Sequence, residues 1–163
     1  MDTPRQGAIS AEIATPSDRP HVERLIAGIE AEDPSTATVL GWRAFVERAR
    51  SGSPGSGPWL IVAWERGLPV GLACVSLLPK LDRRVGWLFV DELYVLADAR
   101  RHGAATALLQ RATRLAETLG VTGVRLLARP GNCAARSLYD HMGYRPHDCI
   151  LYELPLGDRR GHT

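Results

Sequence analysis

The chain has 163 residues, of which 45% are hydrophobic, and its 20 Lys+Arg against 18 Asp+Glu give a formal net charge of +2. This length and composition are typical of one globular domain with a sizeable core, and a charge this small argues against a dedicated nucleic-acid-binding domain. The three cysteines, Cys74, Cys133 and Cys149, have neither the number nor the spacing of a disulfide framework or a zinc site.

The first part of the chain predicts one strand and two helices. Residues 10–14 have the composition of a short strand. Apolar residues at helical spacing follow from Val22 to Ile29, and Asp18 is placed to cap the N-terminus of that helix. A second amphipathic helix is predicted over residues 38–50, before a loop rich in Gly, Ser and Pro.

Strands dominate the middle of the chain. Three apolar runs rich in branched residues are separated by short polar turns, at 59–64, 70–78 and 85–95. Consecutive strands joined by short turns predict an antiparallel meander.

The helix that follows Gly103 has the clearest amphipathic pattern. Its apolar residues form one stripe: Ala104, Leu108, Ala112, Leu115, Ala116 and Leu119. Gly120 is placed to end it, and residues 121–128 predict a strand that returns parallel by a right-handed crossover. A helix over 134–141, with Gly143 placed to end it, and a last strand over 150–156 complete the chain.

The predicted fold class is α/β (α+β), with a mixed central sheet flanked by helices. The N-terminal part of the sheet is an antiparallel meander, and the C-terminal part is a parallel crossover. We expect one domain over residues 1–163, with its core at about 8–156 and flexible tails at 1–7 and 157–163.

The turn before the long helix has the character of a phosphate-binding turn. It runs from Arg100 to Ala105 with the sequence Arg-Arg-His-Gly-Ala-Ala. The first N–H groups of a helix lack intrahelical partners, and the macrodipole makes that end positive. The small residues from Gly103 onward would let an anion approach, Arg100 and Arg101 would add charge, and His102 is expected to point outward. Neither a P-loop nor a dinucleotide fingerprint is present.

Two motifs resemble those of the GNAT family of N-acetyltransferases. Arg-x-x-Gly-x-Ala, after a strand ending in Leu-Tyr-Val, resembles the family's acyl-CoA signature [Gln/Arg]-x-x-Gly-x-[Gly/Ala]. The stretch from Asn132 to Tyr139, followed by Gly143-Tyr144, is similar to the family's Asn-x-x-Ala-x-x-Leu-Tyr and Gly-[Phe/Tyr]. The order of elements also matches. The resemblance implies the acyl-CoA N-acyltransferase fold and an N-acetyltransferase that uses acetyl-CoA as co-substrate and no metal.

The resemblance also implies which residues bind coenzyme A. The main chain of Leu93, Tyr94 and Val95 would pair with the pantetheine arm and the acetyl carbonyl. Asn132 would help to hold the pantetheine arm, and Tyr139 would lie near the thioester sulfur. The pyrophosphate would lie against the residues of the turn and the start of the helix: Arg100, Arg101, His102, Gly103, Ala104, Ala105 and Thr106.

Transfer of an acyl group from a thioester to an amine requires an acid and a base. Tyr139 is the candidate acid because a phenol is protonated at neutral pH; the alternative is a packing role. Asp91 and Glu92 are the candidate bases, since partial burial would raise a carboxyl pKa toward the useful range. Adjacent strand residues face opposite ways, so we expect only one, preferably Glu92, to reach the acceptor. The alternative is that the pair is structural or attracts a cationic substrate.

The acceptor remains open at the level of sequence. The Asp91-Glu92 pair before Leu-Tyr-Val is loosely similar to diamine and polyamine acetyltransferases, which favours a small amine, polyamine or amino acid. A protein N-terminus or lysine is the second choice, and a non-catalytic acyl-CoA-binding module is the competing class. No nucleic-acid partner is expected. Relatives are often dimers, which leaves a homodimer open.

No apolar run reaches 18 residues, and no N-terminal apolar segment of signal-peptide type occurs. We therefore expect no membrane span and a cytoplasmic location. Cys74 lies in an apolar run, so it is expected to be a buried, reduced thiol.

Overall fold

The computed structural model describes residues 8–33, 58–80 and 86–154. The predicted second helix and both predicted tails lie outside these ranges. The chain divides into two compact units, Met1–Arg129 and Pro130–Thr163. The expectation of a single domain stays a prediction.

The first unit contains a sheet in which the strands of the described residues lie side by side in chain order. β1 to β4 pair antiparallel with their neighbours, and β5 lies parallel to β4. The strands are β1 Ser10–Ile13, β2 Trp59–Glu65, β3 Leu68–Leu78, β4 Trp87–Val95 and β5 Val124–Leu126. The predicted meander and parallel crossover are confirmed, although the strand predicted over 121–128 is shorter.

Helix α1, Arg19–Glu32, covers one face of this sheet. Its four apolar residues with helical spacing are buried against strand residues: Val22, Leu25, Ile26 and Ile29 against Leu60, Val62, Leu72 and Cys74. Asp18 is the N-cap residue of α1, as predicted, but its side chain makes no capping hydrogen bond to that helix. The Asp18 carboxylate accepts hydrogen bonds from the N–H of Thr15 at 2.8 Å and its hydroxyl at 2.7 Å, which lowers the pKa of Asp18. The carboxylate therefore stabilises the turn before α1, and no side chain caps α1 itself.

Helix α2, Ala104–Thr118, packs on the opposite face and contacts all five described strands. Strand residues that alternate with the α1-facing ones, including Ile61 and Val75, are fully buried, as expected for a sheet covered on both faces. The buried residues of α2 are Ala104, Leu108, Leu109, Ala112, Leu115 and Ala116. Gly120 follows the helix with a φ of 65°, so the chain leaves α2 in the left-handed conformation that glycine favours.

The second unit contains helix α3, Cys133–His141. Asn132 caps its N-terminus, because its Oδ1 accepts a hydrogen bond from the N–H of Ala135 at 3.2 Å. Gly143 has a φ of 87° just after the helix, as predicted.

The strand predicted over 150–156 is absent from the described residues, which reach 154. Ile150, Leu151, Tyr152 and Leu154 are 79%, 69%, 87% and 84% exposed. An apolar run supplies strand propensity, but propensity alone does not form a strand, which also needs a partner edge.

Candidate functional site

The C-terminal half of β4 is paired on one side only. β5 pairs with β4 at Leu88, Phe89 and Val90 and then ends, whereas β3 continues to pair with β4 as far as Val95. Over residues 91–95, the edge of β4 that faces away from β3 has no strand partner among the described residues. Backbone N–H and C=O groups on such an edge can pair with an extended ligand.

A β-bulge lies at the point where the pairing with β5 stops. Val75 lies opposite Val90, but the next residue along, Cys74, lies opposite Glu92. Asp91 is therefore an extra residue on β4, and the two-residue alternation of side chains is interrupted there.

The bulge changes which face of the sheet the later residues of β4 occupy. Glu92 and Tyr94 lie opposite Cys74 and Leu72, which pack in the cluster around α1. Without the extra residue, Glu92 and Tyr94 would have stayed on the same face of the sheet as Val90, which is the face that α2 covers. The bulge therefore brings Glu92 and Tyr94 to the α1 side.

The surroundings of Glu92 change the pKa of this candidate base. Both Asp91 and Glu92 are exposed as whole residues, because the bulge interrupts the alternation on which the sequence-based expectation relied. Loss of solvent around the Glu92 carboxyl, followed by repulsion from Asp91, raises the pKa of Glu92. A raised pKa suits a general base near neutral pH. Burial, followed by the charges of Glu92 and Asp91, raises the pKa of Cys74, so its buried side chain stays a thiol.

The predicted phosphate turn ends in an uncapped helix. Arg101 and Gly103 have φ values of 66° and 93°, and Gly103, the N-cap residue of α2, has no side chain with which to cap it. The first hydrogen bond into the helix is from the N–H of Ala107 to the carbonyl of Gly103, at 2.9 Å. The N–H groups of residues 104–106 have no acceptor among the described residues. They are oriented as a group that can bind an anion.

The side chains of the turn are held by neighbouring elements. Arg100 donates from Nε to the carbonyl of Val95 at 3.0 Å and from Nη2 to the hydroxyl of Tyr94 at 3.3 Å. Its guanidinium also lies over the Tyr94 ring, 5.5 Å from the centroid. His102 is exposed as expected, with Nδ1 3.4 Å from Oε1 of Glu65, the last residue of β2. Arg100 thus fixes the end of β4 as well as adding positive charge.

Glu32 belongs to this arrangement, although no sequence motif points to it. As the last residue of α1, it accepts from the N–H of Ala97 at 2.9 Å (Oε1) and 3.1 Å (Oε2) and from the Tyr94 hydroxyl at 3.1 Å. Its Oε2 lies 3.5 Å from Nη2 of Arg100. These partners are more than 60 residues away in sequence, so no local pattern could have revealed them.

The second unit carries the other two predicted site residues. Tyr139 lies in α3, with its ring centroid 5.9 Å from that of Tyr144, whose N–H donates to the Tyr139 carbonyl at 2.9 Å. Burial raises the pKa of Tyr139, so its hydroxyl is protonated at neutral pH. Asn132 uses its Oδ1 to cap α3, a structural role that leaves its side-chain N–H₂ as the group able to donate to a ligand.

The described residues contain no group of three or more His, Cys, Asp and Glu arranged to hold a metal ion. Among the helices of residues 8–33 and 86–154, none combines the length and the apolar character that crossing a bilayer requires.

The profile of the family described as Acetyltransferase (GNAT) family matches residues 23–144, or 122 of the 163 residues. No protein of curated function matches the sequence.

Solved structures share the fold at low sequence identity. An aminoglycoside N-acetyltransferase, AAC(6')-Iy, in complex with CoA has a TM-score of 0.76 and 15% identity, with 94% of this chain and 98% of that chain covered. The aminoglycoside acetyltransferase meta-AAC0020 from an uncultured soil metagenomic sample, in complex with sisomicin, has a TM-score of 0.77 and 15% identity, with 91% of this chain and 96% of that chain covered. A putative acetyltransferase from Agrobacterium tumefaciens has a TM-score of 0.72 and 23% identity, covering 90% and 99%.

Proposed function

The chain belongs to the acetyltransferase (GNAT) family, and from this premise we propose that it transfers the acetyl group of acetyl-CoA to a primary amine of a small molecule, polyamine or amino acid. The observation that carries the proposal is the continuity of two binding features in one segment. The unpaired edge of β4 over residues 91–95 is followed, after one short turn, by the uncapped N-terminus of α2.

This continuity matches the two halves of coenzyme A. The pantetheine arm carries amide groups, which can pair with the main chain of Leu93, Tyr94 and Val95 as an added strand would. The pyrophosphate is an anion and suits the N–H groups of residues 104–106, with the charges of Arg100 and Arg101 nearby in sequence. Asn132 is proposed to donate to the pantetheine arm.

The proposed reaction is a direct transfer without an acyl-enzyme. The amine nitrogen attacks the thioester carbonyl carbon, the new N–C bond forms and the C–S bond breaks. Glu92 accepts the proton that the amine loses, and Tyr139 donates a proton to the departing thiolate. The raised pKa of Glu92 makes its carboxylate a stronger base, and the raised pKa of Tyr139 keeps its hydroxyl protonated at neutral pH, and both shifts support these roles.

A cationic acceptor is favoured by the charges beside the unpaired edge of β4. Asp91 and Glu92 are adjacent and exposed, and two carboxylates attract an ammonium group before its deprotonation. Polyamines and aminoglycosides share this chemistry of several amines on a small molecule. Solved proteins of the same fold bear the name aminoglycoside acetyltransferase, which adds aminoglycosides to the acceptors worth testing.

The test is release of free thiol from acetyl-CoA with a panel of acceptors. The panel contains diamines, spermidine, amino acids, an aminoglycoside, and peptides with a free N-terminus or lysine. We expect turnover with a small amine, and Tyr139→Phe should lower kcat about 100-fold or more, the usual range for loss of a general acid. Tyr152→Phe removes a hydroxyl from a residue that is 87% exposed and should leave kcat unchanged.

Two results would contradict the proposal. If CoA binds but no acceptor releases thiol, the protein is an acyl-CoA-binding module. If only peptides are acetylated, the small-amine acceptor is wrong and the protein acts on protein N-termini or lysines.

A further inference from the structure

Three segments of the first unit meet at one carboxylate. Glu32 ends α1, Tyr94 lies near the end of β4, and Ala97 begins the short 3-10 turn that leads to Arg100 and the N-terminus of α2. Glu32 accepts hydrogen bonds from the Tyr94 hydroxyl and the Ala97 N–H. The contact therefore joins α1 to both parts of the proposed coenzyme A site.

The arrangement is more specific than a surface ion pair. An exposed Arg–Glu pair contributes little by itself, and the Arg100–Glu32 separation is 3.5 Å. Both carboxylate oxygens of Glu32, however, lie within hydrogen-bond distance of the Ala97 N–H. Donors from the strand and from the turn thus converge on a side chain that is 30% exposed, and together they fix its orientation.

Arg100 extends the contact to the main chain of β4. While one end of its guanidinium faces Glu32, its Nε donates to the carbonyl of Val95. Movement of Glu32 would therefore remove one of the contacts that hold Arg100 at the start of the turn, whereas the hydrogen bond from Arg100 Nε to the strand can remain.

A carboxylate so close to a site for a diphosphate needs an explanation, because its charge alone would oppose binding of the anion. The charge of Glu32 is matched by Arg100 and by the Ala97 N–H. Its favourable effect on binding is therefore expected to come through the position of the turn.

We propose that Glu32 is a positioning residue for donor binding, which holds the turn over residues 97–103 so that the N–H groups of residues 104–106 are oriented before coenzyme A arrives. This inference rests on the proposed function. Pre-orientation lowers the cost of ordering the site on binding. This pre-orientation should therefore strengthen the binding only of donors that carry the phosphates.

The experiment compares two acetyl donors, acetyl-CoA and S-acetylpantetheine, which lacks the phosphates. In Glu32→Gln the amide oxygen can still accept from Ala97, but the charge facing Arg100 is lost. We expect the Kd for acetyl-CoA to rise about tenfold, the effect of losing roughly one charge-assisted hydrogen bond. The kcat/KM for S-acetylpantetheine should change less than twofold.

Two further variants sharpen the comparison. Tyr94→Phe removes one donor to Glu32 and should show the same selectivity for the phosphate-bearing donor, with a smaller effect. Glu23→Gln, also in α1, removes the charge from an exposed pair with Arg19 at 2.9 Å. It should change neither the Kd for acetyl-CoA nor the kcat/KM for S-acetylpantetheine. Thermal melting of each variant reports folding separately.

The outcomes separate this inference from the proposed function. If wild type binds and uses acetyl-CoA but Glu32→Gln affects both donors equally, or neither, the positioning role is wrong and the proposed function stands. If wild type neither binds coenzyme A nor releases thiol, the proposed function itself fails.

Discussion

Glu92 lies opposite Cys74 in the pairing of β3 with β4, whereas the preceding pair joins Val90 to Val75, which leaves Asp91 as an extra residue. This bulge interrupts the side-chain alternation of β4 and places Glu92 on the face of Cys74. Desolvation there and the charge of Asp91 raise the pKa of Glu92. One inserted residue thus sets the position of the candidate base and contributes to the rise in its pKa.

The role of Glu92 as base predicts a large loss of activity on neutralisation. Glu92→Gln should lower kcat about 100-fold or more, the usual range for removal of a general base. Asp91→Asn removes a charge that raises the pKa of Glu92, so it should shift the acidic limb of the pH profile to lower pH. Steady-state kinetics between pH 5 and 9 measure both effects, with Glu117→Gln, at an exposed position of α2, as control. Equal profiles for Asp91→Asn and wild type would exclude the coupling of the two carboxylates.

The same pKa shift predicts how stability depends on pH. Because the folded-state pKa of Glu92 is raised, its contribution to stability is present below its ordinary pKa of about 4.3 and is lost as the pH rises through the folded-state pKa. Glu92→Gln should therefore be more stable than wild type at pH 7.5, with an advantage that shrinks toward pH 4. Urea unfolding at both pH values measures the difference. An advantage that grows at low pH would contradict the sign of the shift.

Two glycines at opposite ends of α2 allow backbone strain to be separated from ligand binding. Gly103 and Gly120 have φ values of 93° and 65°, and a Cβ on either would meet no atom within 4 Å. Alanine at either position should destabilise the fold by roughly 1–2 kcal/mol, the cost of a left-handed conformation. Only Gly103→Ala should also weaken binding of acetyl-CoA, because Gly103 precedes the free N–H groups. Calorimetric titration and thermal unfolding of both variants test this, and equal losses of affinity would contradict it.

Close packing at Gly71 supports the end of β4. A Cβ on Gly71 would lie 2.8 Å from the carbonyl oxygen of Tyr94 and 3.1 Å from Cγ2 of Val95. Gly71→Ala should push β3 and β4 apart and cost about 1–3 kcal/mol, as overpacking does. Gly131→Ala, where no atom lies within 4 Å and φ is not positive, should cost little. Urea unfolding measures both, and a neutral Gly71→Ala would show that the strands adjust freely.

Periodicity made most of the fold predictable. The apolar spacing of residues 22–29 gave α1, and the stripe after Gly103 gave α2, because one face of each helix is buried on the sheet. Alternating turns and apolar runs gave the meander. Gly120 and Gly143, both with positive φ, marked helix ends because few other residues adopt that conformation.

The features that were missed depend on partners distant in sequence. The bulge at Asp91 is defined by the register against β3, which the sequence of β4 alone cannot specify. Glu32 reaches Tyr94 and Ala97 across more than 60 residues. The strand predicted over 150–156 rested on an apolar pattern, which supplies strand propensity but does not supply the partner edge that a strand needs. Sequence patterns therefore predicted the helices, the strands and the turn expected to bind phosphate. The bulge and the Glu32 hydrogen bonds instead depend on contacts between these elements.

The central claim is that the N–H groups at the start of α2 bind the diphosphate of coenzyme A. Calorimetric titration of the wild-type protein with CoA and with acetyl-CoA, at two temperatures so that a zero enthalpy cannot hide binding, tests it most directly. We expect saturable binding of both ligands, and weaker binding of both to Gly103→Ala than to Gly120→Ala. Absence of heat with both ligands at both temperatures would contradict it.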